Sequence, residues 1–194
     1  MLLKLWNNIR SDFWGTMAQW QNQRWLWLGW GAFAIFLEIF SWAFFQTYLR
    51  LAPCELCVYI RFSMVAIGLG ALLTAINPKV FVLKLAGLAI TAYGIVQGLI
   101  WNIRLEMENL RDQADHLGSL CSPNSASFPF GLKLDRWLPG HFSPQALCGE
   151  DSNWRLFGLN MPEWLFFVYA FFIALWFCLI ISWFMQWRRN SKTA

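Results

Sequence analysis

Four long apolar runs, at about 25–49, 58–76, 80–101 and 164–187, are what this chain must accommodate before anything else. As a helix rising 1.5 Å per residue, each is long enough to cross a bilayer core of about 30 Å. The sequence therefore predicts an all-α integral membrane protein, a four-transmembrane-helix bundle forming one membrane domain over residues 1–194. Only 13% of residues are charged, against about 25% in an average globular protein. Trp25, Trp27, Trp101, Trp164, Trp183 and Trp187 stand near the run ends, as in an interfacial aromatic belt. The formal charge of +4 comes without a basic stripe, which argues against a nucleic-acid partner and leaves lipid as the surroundings.

Lysine and arginine near the run ends give the orientation. Lys4, Arg10 and Arg24 precede the first run, Lys79 and Lys84 flank the second connection, and Arg188, Arg189 and Lys192 follow the fourth. The other side carries Arg50 in a short loop, 50–57, and a few diluted cations in a long one, 102–162. Both termini are expected in the cytoplasm and both of those loops in the periplasm. No cleavable signal peptide is expected. Residues 1–24 are mostly polar, and the first run, too long for a signal h-region, would serve as an uncleaved anchor. Trp6, Ile9, Phe13, Trp14 and Met17 suit either an interfacial helix or a poorly ordered tail. Asn77-Pro78-Lys79 makes a minimal turn, so the second and third spans form a hairpin. Ile103–Leu117 continues the third span as a helix into the long loop, and Trp137 and Leu138 suit a short amphipathic turn on the membrane surface.

Between the first two runs stands Pro53-Cys54-Glu55-Leu56-Cys57-Val58-Tyr59-Ile60-Arg61. Pro53 disfavours helix in Ala52, so a new helix begins at the cysteine pair. A Cys-x-x-Cys holds two sulfurs close enough to form and break a disulfide and commonly lowers one thiol pKa. Arg61, four residues past Cys57, lies one turn on along the same face, where a fixed cation favours a thiolate. The structural alternatives are a stapled turn or half a zinc site.

Cys54, Cys57, Cys121 and Cys148 all fall on the periplasmic side, where disulfides persist, whereas Cys178 sits mid-span and reads as a small buried hydrophobe. Four cysteines allow three pairings. Their spacing is not that of a zinc ribbon, and no metal site is expected; His116 and His141 read as solvated loop histidines. A transporter would show broken helices and a polar midplane site, and the runs show little of either. Gly94-x3-Gly98 reads as a helix-packing face. Glu38 falls near mid-bilayer, with Thr91 nearest its depth and Arg61 and Lys84 displaced toward opposite ends. It reads as a protonated acid bonded between helices, with proton delivery as the sharper option.

The chain resembles the disulfide bond formation protein B (DsbB) family of bacterial inner-membrane thiol oxidases, particularly its DsbI-type branch. The resemblance runs from Trp25 to Trp187. It is carried by Leu37-Glu38, "PCELCVYIR" at 53–61, the Asn77-Pro78-Lys79 turn, Cys121, Phe128-Pro129, "LDRWLP" at 134–139, Cys148 and "FGLNMPEWL" at 157–165. It implies a quinone-dependent protein-disulfide oxidoreductase, with ubiquinone or menaquinone as cofactor. The implied partner is a periplasmic DsbA-like or DsbL-like thioredoxin-fold oxidant. It also implies a Cys54–Cys57 disulfide that quinone regenerates, with Cys57 and Arg61 beside the quinone, and a Cys121–Cys148 shuttle disulfide with Cys121 meeting the partner. A non-catalytic scaffold or metal-binding protein with structural cysteines is the alternative from another class. A reductase of the vitamin K epoxide reductase type is the enzymatic one, and the placement of the Cys-x-x-Cys and "FGLNMPEWL" argue against it.

Overall fold

A computed structural model describes residues 13–115, 126–148 and 154–193. Helix α1 covers Phe13–Trp20, and α2, Arg24–Ser41, runs on as a π-helix over Trp42–Tyr48. Then come α3, Glu55–Ile76, and α4, Phe81–Asp115. Two one-turn helices follow, α5 at Leu134–Trp137 and α6 at Pro139–Phe142, and a two-stranded hairpin of β1, Arg155–Leu156, and β2, Leu159–Asn160. The last helix, α7, is Met161–Thr193. Among the described residues, four stretches are long and apolar enough to cross a membrane: Arg24–Tyr48, Glu55–Ile76, Phe81–Arg111 and Met161–Arg188. The chain is the expected four-helix membrane bundle.

The second span begins at Glu55, three residues before the apolar run, because Cys54 caps it in extended backbone. At its other end the Val80 N–H returns to the Asn77 carbonyl at 3.1 Å, closing the predicted hairpin. Small residues let α3 and α4 pack closely. A Cβ at Gly94 would lie 2.9 Å from the Ser63 carbonyl oxygen, and one at Gly98 would press on Ser63 Oγ and Tyr169 Oη. Gly94-x3-Gly98 is thus the packing face its spacing suggests. Ser63 Oγ and Tyr169 Oη share a 2.6 Å hydrogen bond that ties α7 to this seam. Below it, Trp27, Trp30 and Ala34 of α2 meet Ile67 and Ala71 of α3, Leu88 of α4 and Phe172 of α7. Trp30 stacks on both Trp27 and Phe172.

Of the N-terminal stretch, Phe13–Trp20 is helical and packs against α7, which agrees with the interfacial-helix alternative; Trp6 and Ile9 lie outside the described residues. The third span does continue out of the bundle, to Asp115. His116 and Cys121 also fall outside the described residues.

The long loop folds down over the outer half of α3. Phe128 packs edge-on to Tyr59 and against Phe62, and Phe130 reaches Tyr93 on α4. Tyr59 Oη donates to Glu55 Oε1 and accepts the Ser127 N–H, both at 2.8 Å. Trp137 and Leu138 stay exposed, as the amphipathic turn requires. The β1–β2 hairpin, which no periodicity announced, turns through Phe157 and Gly158 at φ 52° and 83°. Two positive φ values in a two-residue loop match the twist of paired strands.

Candidate active site

Backbone pairing joins the Cys-x-x-Cys to the long loop. The Pro53 carbonyl accepts the N–H groups of Gln145 at 2.8 Å and Ala146 at 3.4 Å, and Cys54 pairs with Ala146 in a parallel bridge. Cys148, two residues on, is buried in the same apolar cluster as Cys54 and is disulfide-bonded. Cys178 carries a thiol mid-span but is only half-buried, short of the burial expected for it.

Cys54 is buried, and its sulfur accepts the Cys57 N–H at 3.2 Å. The Cys54 thiol is pushed well above its ordinary value of 9.0, first by its hydrogen bond to the Cys57 side chain, then by burial, then by charge on Cys57. Cys54 therefore keeps its proton above the pH at which an ordinary thiol ionises. Cys57 lies in the first turn of α3, where the positive end of the helix dipole favours an anion.

The two sulfurs also differ in what they face. Cys57 lines a cavity of about 290 Å³ between the outer part of α2, α3 and the start of α7. Its walls are Leu37, Phe40, Phe44, Phe45, Ile60, Met64, Leu165 and Val168, closed by Trp154 and Trp164, with Arg61 and Glu38 as charged groups. Cys54 does not line this cavity. A cleft of about 50 Å³ on the loop side touches both cysteines together with Asn109 and Asn160.

Arg61 is buried, and one guanidinium nitrogen donates to Gln46 Oε1 at 2.7 Å and to the His141 carbonyl at 2.9 Å. Its Nε lies 4.0 Å from Glu38 Oε1, and the same oxygen is 2.7 Å from His141 Nε2. Two expectations are corrected here. Arg61 is not displaced in depth from Glu38: counting along a straight helix places Cα atoms, whereas the long side chains close the gap and the π-turns above Glu38 shorten that span. Nor is His141 a solvated loop histidine, because α6 drops its imidazole onto Glu38. Thr91, level with Glu38 by counting, bonds to the Gly87 carbonyl of its own helix.

Of the expected site residues, Cys54, Cys57, Cys148 and Arg61 converge, and Cys121 lies outside the described residues. Gln46 and His141 are the additions. His141 had a signal: it directly follows the amphipathic turn at the membrane surface, in a chain whose first span carries an acid with no cation at its depth by counting.

The chain matches the protein family described as "Disulfide bond formation protein DsbB" over residues 23–179. A Lelliottia amnigena protein named "Protein-disulfide oxidoreductase DsbI" is 39% identical over 153 residues, covering 76% of this chain and 69% of that one. The Salmonella typhimurium protein of the same name is 39% identical over 152 residues, covering 76% and 68%. A Shewanella oneidensis protein, provisionally named DsbI, is 39% identical over 191 residues, covering 90% and 89%.

Proposed function

The chain belongs to the disulfide bond formation protein DsbB family, and on that premise we propose that it is a thiol:quinone oxidoreductase of the bacterial inner membrane. In this reading it reoxidises a periplasmic thioredoxin-fold dithiol protein of the DsbA or DsbL kind and so supports disulfide formation. Both termini lie in the cytoplasm.

The observation that carries the reading is the division of labour within the Cys-x-x-Cys. Cys54 lies against the segment leading to Cys148, while Cys57 opens onto an apolar cavity between the spans. The cavity suits a quinone head group: a flat apolar ring needs apolar walls, and ring carbonyls need a donor, which Arg61 offers. Cys57, Arg61 and the surrounding phenylalanines would hold it. A quinone there supplies an acceptor for two electrons and two protons. Cys121–Cys148 is the shuttle disulfide, and Cys121 takes the partner's thiolate as a mixed disulfide. Reduced Cys121–Cys148 then attacks the Cys54–Cys57 disulfide, and Cys57 leaves as the thiolate stabilised by the helix N-terminus and Arg61. Arg61 suits this because its charge is constant across working pH.

The test combines trapping with turnover. Cys148→Ala should accumulate a mixed disulfide with the reduced partner through Cys121. Cys54→Ser and Cys57→Ser should abolish partner-dependent reduction of ubiquinone and menaquinone analogues. An adduct that forms through Cys148 when Cys121 is replaced, and not the reverse, reverses the assignment within the pair. A protein whose cysteines do not cycle with quinone is a scaffold.

A further inference from the structure

We propose that His141 and Glu38 form a proton path from the loop to the membrane cavity, with His141 acting through Glu38. The proposal rests on the quinone-linked reading above. Oxidation of the Cys54 thiol and Cys57 thiolate to a disulfide releases two electrons and one proton. Reduction of a quinone to a quinol takes up two electrons and two protons. The second proton, lost earlier when Cys57 ionised, must return from water, and the cavity wall is otherwise largely apolar.

Glu38 is an ionisable group on that wall, buried among the spans. Such groups are costly at this depth and tend to carry function. Its Oε1 is in hydrogen-bond contact with His141 Nε2, and the His141 side chain is 25% exposed, so the pair joins the cavity to the loop surface. The path is also held in place. Arg61 grips the His141 carbonyl and Gln46, Gln46 donates to the Gly140 carbonyl at 3.0 Å, and the imidazole sits between Trp42 and Phe142. The other groups facing Glu38 are Arg61 on α3 and, within electrostatic reach, Tyr169 on α7. Cys57 shares the cavity. Arg61 cannot deprotonate in practice, which leaves His141, in hydrogen-bond contact, as the group that exchanges protons with Glu38. Glu38 gives its proton to the cavity, His141 replaces it, and water reloads the imidazole.

The first measurement uses quinone-free protein. Infrared spectra at acid pH should show a carboxyl C=O band that disappears in Glu38→Gln, and in wild type that band should shift promptly on transfer to D2O. It should shift much more slowly in His141→Gln, which keeps a hydrogen-bond donor but cannot relay a proton. The second measurement is turnover. His141→Gln should lower kcat for quinone reduction roughly 100-fold, the scale of a lost general acid, with KM for quinone little changed, and free imidazole should restore rate to His141→Gly. A Glu38 band that exchanges only over hours in wild type overturns the path without any variant. So does His141→Gln with wild-type exchange and kcat. If wild type reduces no quinone analogue, the functional reading fails, and the exchange experiment still decides whether the proton path exists.

Discussion

The Cys57 backbone N–H donates to Cys54 Sγ at 3.2 Å, so the buried sulfur of the redox pair also caps the helix that carries the other. One consequence is measurable. A thiol held above its ordinary value of 9.0 stays protonated as pH climbs past that point. Wild-type Cys54 should resist iodoacetamide up to and beyond about pH 9. In Cys57→Ser the leading cause is gone, and the alkylation midpoint of Cys54 should fall. Stability follows the same sign. The contribution of protonated Cys54 is complete below 9.0 and is lost as pH rises toward its folded value, because the unfolded chain ionises first. An unchanged alkylation profile in Cys57→Ser would assign the whole effect to burial.

Arg61→Met should insert normally and form both disulfides, yet slow quinone reduction by about 10- to 1000-fold, the scale of a lost electrostatic stabiliser. Quinone binding should weaken as well. Arg61→Lys should fall between, since lysine keeps the charge but loses the rigid planar head whose one nitrogen holds Gln46 and the His141 carbonyl while its Nε faces Glu38. The measurement is rate against quinone concentration, beside Cys57 alkylation against pH. Wild-type behaviour in both would reduce Arg61 to a clamp on the loop.

Gly98→Val should destabilise the bundle by about 1–3 kcal/mol through overpacking, read by denaturation in detergent. The new side chain drives into Ser63 and Tyr169 and breaks their 2.6 Å bond. Gly29→Ala, with nothing within 4 Å of the new Cβ, should instead be neutral or stabilising by up to about 1 kcal/mol.

Single cysteines at Lys79 and Gln145, in a cysteine-free background, should label differently with an impermeant thiol reagent added from the periplasm. Both positions are exposed, but they lie at opposite ends of α3. Gln145 should react and Lys79 should not. Equal labelling would contradict the orientation.

Much of this was legible because membrane spans impose one strong rule, and hydropathy reads it directly. The spans, the Asn77-Pro78-Lys79 turn and the Gly94–Gly98 face needed only length, charge and residue size. The Cys-x-x-Cys and Arg61 were legible as local chemistry at helical spacing. What escaped depended on contacts far apart in sequence. The His141–Glu38 pair spans 103 positions, and the π-turns over Trp42–Tyr48 have no hydrophobic period of their own. The hairpin at Phe157-Gly158 was hidden for another reason: its strands are two residues each, too short to alternate.

The junction between Pro53 and Gln145–Ala146 is a weak part of the loop's fastening. Proline has no N–H to return, so pairing stops where it starts, and two donors share a single carbonyl. Two net hydrogen bonds hold segments together by only about 1–3 kcal/mol. That is the strength of a latch, not a weld: the segment bearing Cys148 is seated mainly by the burial of Phe142 and Cys148 and by the bonds at Gly140 and His141, and the backbone pairing only sets its register beside Cys54.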